Sequence, residues 1–213
     1  MPSLAPFWVS AWPRLSLGLL LALLLPLGAC KPADKTNTQQ LDDAGMWTAS
    51  VTELRTLNVS NAEVTELAKA RQAGLTDPAC VELIKLARGR QQQFSGGQPI
   101  ADLLASGSSE QTVLELARLE QLGGFAGQAQ ALRLVGLSDN VILAVARRRA
   151  QGLPVLSGET LGKLKNAGAS DAAIVDMVLK GLTEQQASRY IAGREAAAGG
   201  HTFVYQGHRR RNQ

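Results

Sequence analysis

The sequence predicts an all-α fold of about ten short helices that pack as stacked hairpins. Three observations support this class. A short turn of fixed chemistry recurs six times along the chain, and an apolar i, i+3 pair precedes each copy. Aromatic residues, which are enriched in β-strands, make up only 4% of the chain. Residues 49–196 also show no strand-like alternation of apolar and polar residues.

The recurring turn places a hydroxyl and then an acid or amide at fixed offsets. The turns begin at Asn58, Gly74, Gly107, Gly136, Gly168 and Gly181. Their third and fourth residues are Ser60-Asn61, Thr76-Asp77, Ser109-Glu110, Ser138-Asp139, Ser170-Asp171 and Thr183-Glu184. Each hydroxyl is a predicted helix N-cap, and each residue after it favours the positive end of the helix dipole. Because a lost cap costs about 1 kcal/mol, we expect that cost for Ser138→Ala and for Ser170→Ala.

An apolar pair precedes each turn and predicts the buried face of the helix that ends there. The pairs are Val51/Leu54, Leu67/Ala70, Ile100/Leu103, Ala129/Leu132, Leu161/Leu164 and Ile174/Met177. The predicted helices span 50–57, 61–73, 77–92, 98–106, 110–122, 126–135, 139–150, 157–167, 171–180 and 184–196. Breaks between hairpins are predicted at 95–97, 123–124 and 152–154.

The spacing of the turns defines the predicted repeat. Successive turns are 16, 33, 29, 32 and 13 residues apart, so the unit is about thirty residues, with half units at the ends. The arrangement is either a short α-solenoid-like array or an irregular closed bundle of the same helices. The predicted domains are a leader (1–29), a flexible tether (30–48), the helical-repeat domain (49–196) and a Gly/Arg-rich tail (197–213).

The leader ends in a short motif around a cysteine. An apolar run over residues 15–29 follows Arg14 and is shorter than the roughly 20 residues that span a bilayer. It closes on Leu27-Gly28-Ala29-Cys30, which resembles the lipobox of bacterial lipoprotein precursors. This resemblance implies cleavage before Cys30 and a diacylglyceryl group on its thiol. The alternatives are an uncleaved N-terminal anchor and a cysteine that follows Ala29 by chance.

The resemblance implies a location in the cell envelope, held to the membrane through diacylglyceryl-Cys30. Lys31 stands where an aspartate is the usual inner-membrane retention signal in enteric bacteria. We therefore expect an outer-membrane protein facing the periplasm if the host is Gram-negative. With Cys30 lipidated, Cys80 has no intramolecular partner, and its place in the repeat predicts a buried thiol.

The residues that could carry chemistry do not form a recognisable catalytic motif. The two histidines, His201 and His208, both fall in the predicted tail, and the nearest approach to a Ser/Lys hydrolase motif is Thr160-x-x-Lys163. Arg147-Arg148-Arg149 suits a helix C-terminus, where cations meet the dipole, or else an anionic partner. We therefore expect no catalytic residues, no metal site and no cofactor.

The tail contains the candidate contact residues Phe203, Tyr205, Arg209, Arg210 and Arg211. It is either a frayed end or a segment that adds to a partner's sheet edge and touches anionic headgroups or wall phosphates.

The function that these features favour is a lipid-anchored, non-enzymatic protein-binding or scaffold module with an envelope protein as partner. The alternatives are an electrostatic binder of anionic lipid or cell-wall polymer and an unrecognised envelope enzyme. Neither the net charge of +4 nor export favours a nucleic-acid partner.

Overall fold

The computed structural model describes residues 36–203, and the side chains of residues 36–197. This part of the chain is all-helical, with no strand between residues 36 and 203. The helices are α1 (Gln39–Asp43), α2 (Thr48–Thr56), α3 (Asn61–Gln72), α4 (Asp77–Gly89), α5 (Gly97–Ala105), α6 (Glu110–Arg118), α7 (Leu122–Leu134), α8 (Asp139–Ala150), α9 (Gly158–Asn166), α10 (Asp171–Lys180) and α11 (Glu184–Phe203).

The helices form two parallel rows. Odd-numbered helices pack in the order α1, α3, α5, α7, α9, α11, and even-numbered helices pack in the order α2, α4, α6, α8, α10. Helices that are consecutive in sequence pair across the rows, as in α1–α2, α3–α4 and α7–α8. Within the described region α1 contacts only α2 and α3, and α11 contacts only α9, so the array is open and not a closed bundle.

The connections lie on two edges of the array. The hairpin edge holds the turns within hairpins, at residues 44–47, 73–76, 106–109, 135–138 and 167–170; the junction edge holds the links between hairpins, at residues 57–60, 90–96, 119–121, 151–157 and 181–183. Each connection holds a residue with positive φ. On the hairpin edge these are Gly45, Gly74, Gly107, Gly136 and Gly168, and on the junction edge they are Asn58, Gln91, Glu120, Gly152 and Gly181.

The two edges explain the irregular spacing of the turns in the sequence. Positive-φ residues on the hairpin edge are 29, 33, 29 and 32 residues apart, and those on the junction edge are 33, 29, 32 and 29 apart. The turns at Asn58 and Gly181 therefore belong to the junction edge, while the other four motif turns belong to the hairpin edge. The short outer intervals come from mixing the two kinds of turn and not from half units.

Most of the predicted helix starts are confirmed. Helices begin at Asn61, Asp77, Glu110, Asp139, Asp171 and Glu184, as the cap motif predicts. All six apolar pairs are buried, with at most 8% of any residue exposed. They form part of one hydrophobic core that runs between the rows from Leu41 to Ala187.

The largest differences from the predicted helix boundaries lie in three places. Helix α1 lies inside the predicted tether, because Leu41 is buried against α3 and Thr36 Oγ1 donates to the Val59 carbonyl at 2.8 Å. The predicted break at residues 123–124 is helical; the chain turns instead at Glu120, with φ of 59°. Helix α11 continues to Phe203, past the predicted end at residue 196.

Candidate interaction site

Carboxylates link successive hairpins along the even row. Each acid at the first position of an even helix accepts the backbone N–H of the N-cap residue of the preceding even helix. The bonds run from Trp47 to Asp77 (2.8 Å), from Thr76 to Glu110 (2.8 Å), from Ser109 to Asp139 (2.9 Å) and from Ser138 to Asp171 (3.0 Å). We call this set the N-cap ladder. It satisfies N–H groups that no helix can satisfy internally.

Arginines make the complementary contacts on the same edge. Arg71 of α3 donates to the Gly45 carbonyl, Arg133 of α7 to Gly107 and Arg194 of α11 to Gly168, over 3.3, 3.0 and 2.6 Å. In each case the carbonyl belongs to the hairpin turn of the preceding repeat. On the hairpin edge, acids therefore accept the N–H groups of the preceding turn, and arginines donate to the carbonyls of such turns.

A buried ion pair fastens the junction edge. The Glu63 side chain is 1% exposed, and Arg88 Nη2 lies 2.7 Å from its Oε2. The same carboxylate accepts the backbone N–H groups of Ser60 and Phe94, at 2.8 and 3.0 Å. Burial alone would raise the pKa of Glu63, but the bonds from Arg88, Ser60 and Phe94 outweigh it and bring the pKa to about 2. Arg88 also donates to the carbonyls of Leu57 and Asn58, at the end of α2.

A groove opens on the junction edge beside this ion pair. It has a volume of about 330 Å³ and lies between α4, the 90–96 connection, α5 and the start of α7. Its apolar lining includes Leu86, Phe94, Pro99 and Leu122. Its polar rim includes Arg90, whose Nε lies 2.9 Å from Glu120 Oε1. We call it the α4–α5 groove; it combines an apolar floor with a charged border, as binding clefts do.

A few large apolar side chains are exposed elsewhere. Trp47 is 76% exposed and Leu134 is 71% exposed, both next to the hairpin edge. Leu153 and Leu179 are about half exposed near the junction edge. Trp47 occupies the N-cap of α2, the position that Thr76, Ser109, Ser138 and Ser170 fill in the later even helices.

The buried position predicted for Cys80 is confirmed. Cys80 is 0% exposed and unpaired. Burial, reinforced by the negative charge of Asp77, raises the pKa of its thiol to about 12. The thiol is therefore protonated and packed as a small apolar group.

The Thr160-x-x-Lys163 pair does not form a nucleophile and base. Thr160 Oγ1 binds Glu184, and Lys163 Nζ lies 2.6 Å from Glu159. Its hydrogen bond with Glu159 raises the pKa of Lys163, which is opposite to what a catalytic base requires. Of the arginine run, Arg148 bonds the carbonyls of Pro154 and Leu179, so it joins α8 to the end of α10.

The remaining predicted site residues lie outside the described part of the chain. These are Cys30, Tyr205, Arg209, Arg210 and Arg211, together with the side chains of Phe203 and His201. The backbone of Phe203 and His201 belongs to α11.

The sequence analysis missed Glu63, Arg88 and the groove. One signal was available: Ser60-x-x-Glu63 is a capping box, in which the hydroxyl accepts the Glu63 N–H and the carboxylate accepts the Ser60 N–H. Nothing in the local sequence shows that Arg88 and Phe94 reach the same carboxylate, because they follow 25 and 31 residues later.

Among the described residues, no helix has the length and apolar character to cross a membrane, and no cluster of three or more His, Cys, Asp or Glu side chains is arranged to hold a metal ion. No protein-family model, curated protein or solved structure matches this chain.

Proposed function

We propose that this protein is a lipid-anchored envelope lipoprotein whose helical array binds another protein. The observation that carries the binding role is the open two-row array with an apolar groove on one edge. Open helical arrays offer long surfaces on which a partner can lie, and their hairpins are held together by contacts with neighbouring repeats. The anchoring part of the proposal rests on the leader and on the lipobox resemblance at Leu27-Gly28-Ala29-Cys30.

The α4–α5 groove is the proposed point of contact. Leu86 and Leu122 are partly buried residues that pack against the core and line the groove, so they can bury further area against a partner. Arg90 and Glu120 at the rim can pair with polar groups of an extended segment while its apolar side chains fill the floor. The occupant that fits is a protein segment carrying one or two large apolar side chains.

The charges of the array favour protein binding over electrostatic binding of lipid or wall polymer. Five arginines of the described region are used within the array: Arg71, Arg133 and Arg194 on the hairpin edge, and Arg88 and Arg148 on the junction edge. Cations that already hold carbonyls and carboxylates contribute little to an attraction for polyanions. The electrostatic alternative therefore depends on Arg209, Arg210 and Arg211 and on exposed arginines such as Arg147.

The anchor is tested by the mass of the protein recovered from its native membrane. Cleavage before Cys30 and addition of lipid to its thiol are expected, and a Cys30→Ser variant should retain its leader and carry no lipid. An unmodified Cys30 in the wild type would refute the anchor and leave the binding role standing.

The binding site is tested by a photo-crosslinking residue placed at Leu86 or Leu122 in intact cells. The matched control is the same residue at Leu179, which is exposed on α10 away from the groove. We expect one defined protein adduct from both groove positions and not from the control. Leu122→Glu should abolish the adduct formed from position 86. The variant should stay folded, since an acid is favourable at the first position of a helix. Equal crosslinking at all three positions, or adducts that disappear at high salt, would refute the site.

A further inference from the structure

Trp47 is placed differently from every residue at the same position of the repeat. The N-cap residues of the four later even helices are the hydroxyl residues Thr76, Ser109, Ser138 and Ser170, whereas the N-cap residue of α2 is Trp47. Its indole is 76% exposed, so burial in the core does not explain its presence. The first repeat therefore has no hydroxyl at this N-cap and exposes a large apolar side chain to water.

The same repeat is the part of the array nearest to Cys30 along the chain. The array begins at Thr36, whose hydroxyl bonds Val59. Five residues separate it from Cys30, so Thr36 lies at most about 20 Å from a lipid on that cysteine. Thr36 lies at the junction edge beside Val59, and helix α1, with five residues and a length of about 8 Å, carries the chain from there to the hairpin edge. Trp47 therefore lies within reach of the bilayer surface that carries the anchor.

The surroundings of Trp47 suit the headgroup region of a bilayer. Residues Thr48 and Ala49, which follow it, are exposed and uncharged, and α2 has no acid in its first turn. Asp77 carries the only carboxylate bonded to the Trp47 backbone, and Arg71 neutralises it at 2.6 Å. Trp is enriched at membrane interfaces because its ring is apolar and its N–H can bond headgroups or water.

We propose that Trp47 is a second membrane contact, with its indole in the headgroup region of the bilayer that holds the lipid on Cys30. This proposal rests on the lipid anchor proposed above. A lipid chain and an interfacial side chain together would fix which edge of the array faces the membrane. The hairpin edge at Trp47 would lie on the bilayer, and the α4–α5 groove on the other edge would remain open to a protein partner.

The test uses the fluorescence of the chain from Cys30 onward, in which Trp47 is the only tryptophan. Coupling Cys30 to a maleimide lipid in phosphatidylcholine vesicles anchors the protein whether or not cells lipidate it. Cys80 will not compete, because its thiol is buried and protonated. The expected results are a shift of the emission to shorter wavelength and strong quenching by lipids brominated on the upper part of their chains.

Two variants and one salt series decide the outcome. Leu179→Ser removes an exposed apolar side chain of α10 near the junction edge, away from the proposed contact, and should leave the Trp47 spectrum unchanged. Trp47→Ser places a hydroxyl residue at this N-cap, as in the other even helices, so the variant should stay folded. Without the indole the anchored array should rotate more freely, seen as lower fluorescence anisotropy of a dye on α11. The shift of the emission and the quenching by brominated lipids should both persist at high salt, since burial and not charge drives them.

Trp47 emission that is identical in solution and on the anchored vesicle would overturn the proposal. A native Cys30 without lipid would refute only the anchor on which the proposal rests.

Discussion

Replacing Glu63 by Gln should destabilise the array strongly, because it removes the charge of a buried ion pair. The glutamate accepts bonds at both oxygens: Arg88 Nη1 and the Phe94 N–H at Oε1, and Arg88 Nη2 and the Ser60 N–H at Oε2. A glutamine has one oxygen, so either orientation of its amide turns an NH₂ group toward two donors. Removing one partner of a buried pair costs about 3–5 kcal/mol, and the part exposure of Arg88 places the expected loss near 3 kcal/mol.

The pKa of Glu63 gives an independent measure of the same interaction. It lies at about 2 in the folded protein instead of the ordinary 4.5, so the group stabilises the fold by about 3 kcal/mol at neutral pH. The folded pKa is depressed, and so this stabilisation is present above pH 4.5 and is lost as the pH falls toward 2. Wild type should therefore lose stability steeply in that window, and Glu63→Gln should lose much less.

Urea unfolding followed by circular dichroism between pH 2 and 7 measures both effects. Glu159→Gln is the matched control, because Glu159 is exposed and pairs only with Lys163 on its own helix, so its loss should be within about 0.5 kcal/mol. A Glu63→Gln protein that unfolds within 1 kcal/mol of wild type, roughly the cost of one ordinary hydrogen bond, and keeps the acid-dependent slope would refute this account of the pair.

Three further outcomes follow from the structure. Asp139→Ala removes the acceptor of the Ser109 backbone N–H. It should lower the free energy of unfolding by about 1–3 kcal/mol and speed hydrogen exchange of the Ser109 amide, which NMR can follow. Cys80 should resist a thiol reagent in the native protein and react fully in denaturant, since burial raises its pKa to about 12. Ser170→Ala should lower the free energy of unfolding by about 1 kcal/mol, measured by thermal unfolding, because the Ser170 hydroxyl accepts the Ala173 N–H. Ser138→Ala should lower it by less, because the Ser138 hydroxyl makes no cap bond. Equal losses in the two variants would contradict this difference.

The sequence is informative wherever a helix end depends on neighbouring residues. The hydroxyl and acid at Ser109-Glu110 and Ser170-Asp171 place the starts of α6 and α10 correctly, because capping involves only the first turn. Cys80 could be assigned to the core from its place in the repeat.

The sequence is misleading where neighbouring repeats override local preference. Helix α1 has a single buried leucine, Leu41, and its turn carries Trp47 where the motif has a hydroxyl, so the pattern does not show it. Gly123 and Gly124 favour a break when considered alone, yet they lie in the first turn of α7, and the turn falls at Glu120. The groove and its ion pair depend on contacts across 25 to 31 residues, which no local pattern encodes.

The N-cap ladder gives the array a direction. In each rung the N–H comes from one repeat and the carboxylate from the repeat that follows it, so Asp77 completes α2 and Asp171 completes α8. Losing a repeat on the C-terminal side leaves an unpaired N–H behind, whereas losing one on the N-terminal side leaves a carboxylate that water can solvate. The N-cap N–H of the first repeat is therefore satisfied by Asp77 of the second, and each later rung supports the repeat that precedes it, as expected of an array in which each repeat contacts only its neighbours.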